Sequence, residues 1–218
     1  PALVRLALPH GTEVRVQRVE GEITPPRSEQ SPVRRYLAYG SSVTHGYDSL
    51  RAGDSYPARV ARLLGAEQIN LGFGAGAFLE AAMADWIARR QDWDFASFEL
   101  GVNVLSRLDE NEFRQRVRYF LGTVAAAHPA KWIFVIDIFG SFRDLTADPR
   151  QAAFRAIVAD EVLRLGSARV VHLDGRSLLG PHGALGADLL HPSPEGFAEI
   201  ASQLAARMRA ALTNPPAS

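Results

Sequence analysis

The sequence contains no cysteine. This absence excludes disulfides, thiolate metal sites and cysteine nucleophiles. It fits a reducing compartment, so we expect a cytoplasmic location, although an exported protein can also lack cysteine. The N-terminus shows no basic segment followed by an apolar one, as a signal peptide would. The chain begins at Pro1 and not at Met, which leaves room for an upstream segment.

Lysine and long apolar runs are also scarce. Lys131 is the only lysine, and Lys plus Arg equal Asp plus Glu at 24 each. Because the arginines are scattered and the charges balance, the chain offers no basic surface for nucleic acid or for an anionic membrane. No apolar run approaches the roughly 20 residues of a membrane span. We therefore expect neither nucleic acid nor a membrane as a partner.

What the sequence does contain is the composition of one large globular domain, with 218 residues, 47% hydrophobic and 22% charged. Its N-terminal part differs from the rest. Two short extended runs, Leu3–Ala7 and Glu13–Val19, flank turn-forming residues and predict a β-hairpin. We expect residues 1–32 to form this hairpin and a linker, and residues 33–218 to form the main domain. The hairpin would be an edge addition to the main sheet or the end of an upstream β-domain.

From Tyr36 onward, apolar strand patterns alternate with helical patterns. Strands are predicted at Tyr36–Tyr39, Gln68–Phe73, Phe95–Leu100, Trp132–Phe139 and Arg169–Leu173. Helices are predicted at Tyr56–Leu64, Ala77–Arg90, Asp109–Ala127 and Arg150–Leu165, and from Pro194 onward after an N-cap at Ser193. Five strands that alternate with five helices indicate a mostly parallel sheet covered on both faces, which is a three-layer α/β/α fold.

Several polar residues follow these strands, and the carboxyl ends of parallel strands share one edge of the sheet. Ser42 follows the first strand between Gly40 and Gly46, Asn103 follows the third, and Asp188 and His191 come after the fifth. Acyl transfer needs such a set: a serine nucleophile, a histidine base, a carboxylate that orients the histidine, and donors for the oxyanion. The pattern therefore predicts that Ser42 is a catalytic nucleophile.

Four sequence blocks resemble those of the SGNH (GDSL-type) hydrolases and occur in the same order. They are Gly40-Ser41-Ser42 with Gly46, Asn70-Leu71-Gly72-Phe73-Gly74-Ala75-Gly76, Gly101-Val102-Asn103-Val104, and Asp188-Leu189-Leu190-His191. The resemblance covers about Arg35 to Leu212 and implies a flavodoxin-like fold with a five-stranded sheet. It implies Ser42 as the nucleophile, His191 as the base and Asp188 as its orienting carboxylate. It also implies oxyanion donors from the backbone N–H of Ser42, a backbone N–H near Ala75 and the side chain of Asn103.

The chain departs from the family pattern at three positions. Ser41 stands where the family usually has Asp, Ala75 stands at the expected glycine of the second block, and Val104 replaces the Asp after Asn103. Alanine keeps the backbone N–H, so that donor survives if Ala75 tolerates the local backbone angles. The effects of Ser41 and Val104 cannot be read from the sequence.

Each candidate also has a plainer interpretation. Alone, Ser42 would be a turn serine, Asn103 a loop residue, Asp188 a solvated carboxylate and His191 a surface histidine. Their coincidence at one sheet edge favours a common site. A literal Gly-Asp-Ser at Gly53–Ser55 opens a helix, so we expect a cap there rather than a nucleophile. Asp137 and Asp174 are rival carboxylates that better suit bonds to backbone or loop groups, and we expect His172 to be a core or hydrogen-bonded residue.

The sequence thus predicts a serine esterase that needs no metal or organic cofactor. Its short loops favour small acyl groups, acetyl above all, and a similarity to carbohydrate O-acetyl esterases of the superfamily implies a small-molecule or carbohydrate ester as substrate. A short-chain lipid esterase or acyltransferase of the same fold is an alternative. So is a dinucleotide-binding protein, since Gly72-x-Gly74-x-x-Ala77 fits the phosphate-binding fingerprint locally. A catalytically inactive glycan-binding protein and a homo-oligomer also stay open.

Overall fold

The computed structural model describes residues 3–9, 12–180 and 182–213. Its centre is a five-stranded, fully parallel sheet in the order β2-β1-β3-β4-β5. The strands are β1 (Arg34–Gly40), β2 (Ala66–Gly72), β3 (Phe95–Glu99), β4 (Trp132–Ile136) and β5 (Val170–Leu173). All five predicted strands are present, and the order is that of flavodoxin-like folds. The predicted fold class is confirmed.

Helices connect the strands and cover both faces of the sheet. They are α1 (Ser42–His45), α2 (Tyr56–Leu64), α3 (Ala81–Arg89), α4 (Glu110–Ala127), α5 (Phe142–Leu145), α6 (Pro149–Leu165) and α7 (Pro194–Thr213), with short 3-10 turns at Ser28–Gln30, Ala52–Asp54 and Gly175–Ser177. Alternate residues of β1 face opposite sides, as a pleated strand requires. Leu37 and Tyr39 belong to the core under α3, α4 and α6, and Tyr36 and Ala38 to the core under α2 and α7.

Most helix boundaries follow from local signals. Asp109 caps α4 by accepting a hydrogen bond from the backbone N–H of Glu112 at 2.8 Å, and Ser193 Oγ accepts from the N–H of Gly196 at 3.2 Å at the start of α7. The prediction was wrong at α3, which begins at Ala81 and not at Ala77. Leu79 has a left-handed φ of 54° and donates its N–H to the hydroxyl of Tyr39, so the helix cannot include it.

The predicted N-terminal hairpin was also wrong. Among the described residues before β1, neither 3–9 nor 12–33 contains a strand, and the central turn residues His10 and Gly11 lie outside the described part. Val4, Leu6 and Val16 are exposed, so the apolar side chains of this segment have no second layer to pack on. An isolated two-stranded hairpin without such a layer is marginal in water. The division into residues 1–32 and 33–218 stays a prediction.

Within the described ranges, no helix combines the length and the apolar character that a membrane crossing requires.

Candidate active site

Ser42 lies where β1 turns into a single helical turn, α1. Ser41 is the N-cap of this turn, and its side chain accepts a hydrogen bond from the N–H of Val43 at 3.2 Å. Ser42 is the first residue of α1, so its N–H has no acceptor within the helix. On the other side, Gly72 at the end of β2 packs directly on the turn: a Cβ at Gly72 would lie 2.1 Å from the backbone nitrogen of His45. The half-buried Ser42 therefore sits on a tightly supported turn at the carboxyl edge of the sheet.

The structure brings the three predicted triad residues together. Ser42 Oγ lies 2.7 Å from Nε2 of His191, and Nδ1 of His191 lies 2.5 Å from Oδ2 of Asp188. An ionised carboxylate can only accept hydrogen bonds, so the ring proton belongs on Nδ1. Nε2 is then free to accept the proton of the serine hydroxyl. This is the arrangement that general-base activation of a serine requires.

The loop before α7 fixes the carboxylate and the imidazole relative to each other. Oδ1 of Asp188 accepts hydrogen bonds from the N–H groups of Leu190 and His191 at 3.0 and 2.9 Å. Leu189 between them has a left-handed φ of 55°, which closes the turn. Partial burial opposes ionisation of Asp188, but the bond from His191 and the two backbone donors outweigh it and lower the pKa of the carboxyl group. Asp188 is therefore held ionised beside its histidine.

Of the predicted oxyanion donors, the side chain of Asn103 contacts the glycine-rich loop, but it does not contact Ala75 itself. Oδ1 of Asn103 accepts a hydrogen bond from the N–H of Ala77 at 3.0 Å, which assigns the other end of the amide, Nδ2, as a donor. Asn103 thus contacts the glycine-rich loop through Ala77 and not through Ala75. Ala75 has a left-handed φ of 56°. Its N–H has no hydrogen-bond partner among the residues that the structure describes.

Two spaces of very different size adjoin the triad. The first, which we call the small hollow, has a volume of about 10 Å³ and is lined by Val43, Val102 and Leu190 among others. These three residues are the chain neighbours of Ser42, Asn103 and His191. A volume of about 10 Å³ holds roughly one water molecule.

The second space is an open groove of about 870 Å³ between the N-terminal segment and the loop after α1, and its lining includes Tyr47, Asp48, Arg51 and Arg62. Its Tyr47 ring packs against the imidazole of His191. The groove thus adjoins His191 through this ring. A volume of this size lies within the usual range of small-ligand sites, about 300–1,000 Å³.

The rival candidates lie elsewhere. Ser55 occupies the N-cap position of α2, as expected, but it is buried and its hydroxyl has no hydrogen-bond partner in the described structure. Asp137 accepts from Nε2 of His172 at 2.7 Å and from the N–H of Gly175, which agrees with the predicted roles of both side chains. Asp174 caps the turn Gly175–Ser177. None of these three residues contacts His191.

The geometry of the second loop counts against dinucleotide binding. The fingerprint needs a helix that starts directly behind the glycines, so that its N-terminus faces the pyrophosphate. Here α3 starts only at Ala81. The acidic residues about 20 positions on, Asp92 and Asp94, precede β3 and bond to Arg35 at the beginning of β1, at the opposite edge of the sheet.

One group within the described residues has the geometry to coordinate a cation. Asp48, Asp188 and His191 offer ligand atoms that lie within 4.8 Å of one another. Two of the three already share a short hydrogen bond through the Nδ1 proton of His191. That proton would have to leave before Nδ1 could bind a metal, so we assign the group to the serine site.

Sequence reasoning missed three residues of this region: Tyr47, Asp48 and Glu99. Glu99 is 1% exposed and accepts a hydrogen bond from the N–H of Ser41. The sequence did contain an indication of Glu99, because an acidic residue ends a strand that is otherwise mostly apolar. Tyr47 and Asp48 carried no such signal, because their proximity to His191 depends on how distant loops pack.

The comparison with known proteins agrees with this geometry. Residues 38–198 match the model of the GDSL-like lipase/acylhydrolase family. The chain belongs to this family, which consists of ester hydrolases and acyltransferases. No curated protein matches the chain by sequence.

Solved structures share the fold at low sequence identity. The salicylyl-acyltransferase SsfX3 from a tetracycline biosynthetic pathway has 24% identity and a TM-score of 0.72, over 85% of this chain and 56% of its own. A carbohydrate esterase family 2 enzyme from Corynascus thermopiles has 18% identity and a TM-score of 0.66, over 88% of this chain and 69% of its own. A family two carbohydrate esterase from Cellvibrio japonicus has 20% identity and a TM-score of 0.65, over 84% and 62%. The chain thus spans little more than half the length of the acyltransferase.

Proposed function

We propose that this protein is a serine esterase that hydrolyses acetyl and similarly small acyl esters of carbohydrates or other hydroxylated alcohols. The observation that carries the proposal is the continuous hydrogen-bonded chain from Ser42 through His191 to Asp188. Membership in the GDSL-like lipase/acylhydrolase family supports the reaction class. The fold shared with family two carbohydrate esterases supports the substrate class.

The reaction would proceed by double displacement. Nε2 of His191 takes the proton of the Ser42 hydroxyl while Oγ attacks the ester carbonyl, and Asp188 stabilises the resulting imidazolium. The tetrahedral intermediate collapses, the C–O bond to the alcohol breaks, and the alcohol leaves with the proton from His191. Water then attacks the acyl-enzyme with His191 again as the base, which releases the carboxylic acid and restores Ser42.

The oxyanion would accept hydrogen bonds from groups that can still donate one in this fold. The N–H of Ser42 starts a helix and has no acceptor within it. The N–H of Ala75 has no partner in the described structure, and Asn103 is oriented by its bond from Ala77. Preorganised donors of this kind stabilise the negative charge because they need no reorientation when it develops.

The two spaces beside the triad support a small acyl group on a large alcohol. The small hollow, with a mostly apolar lining that also includes Glu99 and Ser141, has a volume of about 10 Å³ and room for a methyl group but not for a fatty chain. The groove of about 870 Å³ combines the ring of Tyr47 with both carboxylate and guanidinium groups. A mixed polar lining with an aromatic wall suits an uncharged, hydroxylated leaving group better than a lipid tail.

The test is a substrate panel with matched variants. We expect the parent to hydrolyse p-nitrophenyl acetate faster than the butyrate and much faster than the octanoate, and to release acetate from acetylated xylo-oligosaccharides. Ser42→Ala should abolish turnover and labelling by a fluorophosphonate, whereas Ser55→Ala should retain both. Full activity of Ser42→Ala would exclude the mechanism, and an optimum at octanoate would exclude the small-acyl specificity.

Acyl transfer to an alcohol is the second candidate, and the size of the groove favours it. A groove that accommodates the leaving alcohol can equally hold an acceptor alcohol in place of water. Product analysis with p-nitrophenyl acetate and an added sugar alcohol separates the two: acetate as the main product indicates a hydrolase, and an acetylated sugar alcohol indicates a transferase.

A further inference from the structure

A buried carboxylate lies directly beneath the turn that carries Ser42. Glu99 ends β3, next to β1 in the sheet, and is 1% exposed. Its Oε2 accepts hydrogen bonds from the backbone N–H of Ser41 at 2.6 Å and from Oγ1 of Thr44 at 3.1 Å. One carboxylate oxygen therefore holds both ends of the four-residue segment in which Ser42 lies.

The packing around this carboxylate leaves no space for a side chain at the end of β1. A Cβ at Gly40 would lie 2.5 Å from Oε2 of Glu99 and 2.2 Å from Oγ1 of Thr44. Both distances are far below ordinary van der Waals contact. The glycine is thus required by the close approach of Glu99, and not by an unusual backbone angle.

Burial and hydrogen bonding act on the charge of Glu99 in opposite directions. Burial raises the pKa of the Glu99 carboxyl group, while the hydrogen bonds from Ser41 and Thr44 favour its ionised form. The phenols of Tyr39 and Tyr56 also face it, and burial raises the pKa of both, so they are neutral near pH 7.

We propose that Glu99 is a positioning residue of the active site, which fixes the turn bearing Ser42. Its carboxylate holds the N–H of Ser41 and the hydroxyl of Thr44, so that Oγ of Ser42 stays within hydrogen-bond distance of Nε2 of His191. This inference rests on the proposed serine mechanism and adds a fourth side chain to it.

The same contact accounts for the serine at position 41. Ser41 is fully buried, and its N–H points at the Glu99 carboxylate. An aspartate at this position would place a second negative charge against Glu99 in a buried site, where like charges repel strongly. Ser41 provides a small neutral cap for α1 in its place. A negative charge should therefore be tolerated at position 41 or at position 99, but not at both.

The test uses Glu99→Gln, which keeps the shape and removes the charge, with Glu110→Gln on the surface of α4 as the matched control. We expect Glu99→Gln to lower kcat for p-nitrophenyl acetate by about 10²-fold at a nearly unchanged KM, because small displacements of a nucleophile have effects of this size. A general loss of structure would instead raise KM together with the fall in kcat.

The paired exchange provides the second arm. Ser41→Asp should lose most activity, and the double variant Ser41→Asp/Glu99→Gln should recover at least about tenfold over it, because the pair again carries one charge. If Glu99→Gln does not fold, Thr44→Val decides. It removes one donor to Glu99, together with the bond between Thr44 and the Tyr56 hydroxyl, at similar volume, and should lower kcat by about tenfold.

Three results would overturn the inference: parental kcat in Glu99→Gln, a double variant no more active than Ser41→Asp, or, where Glu99→Gln is unfolded, parental kcat in Thr44→Val. Ser42→Ala is measured beside them. If Ser42→Ala keeps its activity, the serine mechanism itself fails. If Ser42→Ala is inactive and Glu99→Gln is unchanged, only the role of Glu99 fails.

Discussion

The phenol ring of Tyr47 packs against the imidazole of His191, with ring centroids 4.7 Å apart and planes tilted by 47°. Tyr47 also lines the groove and is 53% exposed. One face of this ring therefore supports the base, while the rest of it is available to a substrate in the groove. The contact ties the orientation of His191 to the occupancy of the groove.

Replacing Tyr47 should separate these two contributions. We expect Tyr47→Ala to raise KM for acetylated xylo-oligosaccharides by about fivefold or more, since loss of an aromatic stacking partner costs about 1 kcal/mol or more. The KM for p-nitrophenyl acetate should change much less. Tyr47→Phe keeps the ring and should behave like the parent. Equal effects of Tyr47→Ala on both substrates would contradict a role of the groove in binding the alcohol.

Asn103 can be tested with two substitutions that differ in what they remove. Asn103→Ala removes both the donor Nδ2 and the acceptor for the N–H of Ala77. Asn103→Asp keeps the acceptor, removes the donor and adds a negative charge that would repel an oxyanion. We expect both variants to lose about 10²–10³ in kcat, because that is the usual cost of one oxyanion donor. If Asn103→Asp keeps the parental kcat while Asn103→Ala loses it, Asn103 serves the loop and not the oxyanion.

Ala75 adopts a backbone conformation that suits glycine. Its φ of 56° is left-handed, which costs an L-residue about 1–2 kcal/mol. We expect Ala75→Gly to raise the free energy of unfolding by up to about 1 kcal/mol, after allowance for the greater chain entropy of glycine. Denaturant titration measures the change. Gly74→Ala is the control: a Cβ at Gly74 meets no atom within 4 Å, so it should be tolerated. A destabilised Ala75→Gly would contradict the prediction.

Glu161 on α6 joins three arginines and should make stability depend on pH. Burial opposes its ionisation, but bonds from Arg118, Arg164 and Arg114 lower the pKa of the Glu161 carboxyl group from 4.5 to about 2. Its contribution is therefore complete above pH 4.5 and lost as the pH falls towards 2. We expect Glu161→Gln to lower the free energy of unfolding at pH 7 by about 2–3 kcal/mol, and the difference from the parent to shrink at pH 3.

The control for this prediction lies on α4. Glu112 pairs with Arg116 one turn away, and both side chains are substantially exposed. Glu112→Gln should change the free energy of unfolding by no more than about 0.5 kcal/mol, as exposed pairs do. A Glu161→Gln effect that stays constant from pH 7 to pH 3 would show that packing, and not charge, is responsible.

The sequence was sufficient to predict the parallel sheet and the side chains that meet at its edge. The order of the elements along the chain determines these features. Because apolar strands alternate with helices, the sheet is parallel, and Ser42 and the Asp188–His191 turn lie at its carboxyl edge. The hydrogen bond between Ser42 and His191 agrees with that expectation. The functional roles of these residues stay predictions until the variants are measured.

The sequence was not sufficient where contacts depend on register or on long-range packing. Glu99 reaches Ser41 because β3 pairs with β1 so that Phe98 lies opposite Tyr39, and no local pattern sets that pairing. The N-terminal runs show the converse error. Their alternation favoured strands locally, but no second layer covers Val4 or Val16, and local propensity without burial does not stabilise a hairpin.

The hydrogen bond between Ser42 and His191 joins residues that lie 149 positions apart. During synthesis, Ser42 emerges from the ribosome well before His191 does. A nascent chain released before the loop preceding α7 would carry Ser42 without a proton acceptor. Ester turnover, or labelling of Ser42, would therefore report when the Asp188–His191 loop docks against the turn that carries Ser42.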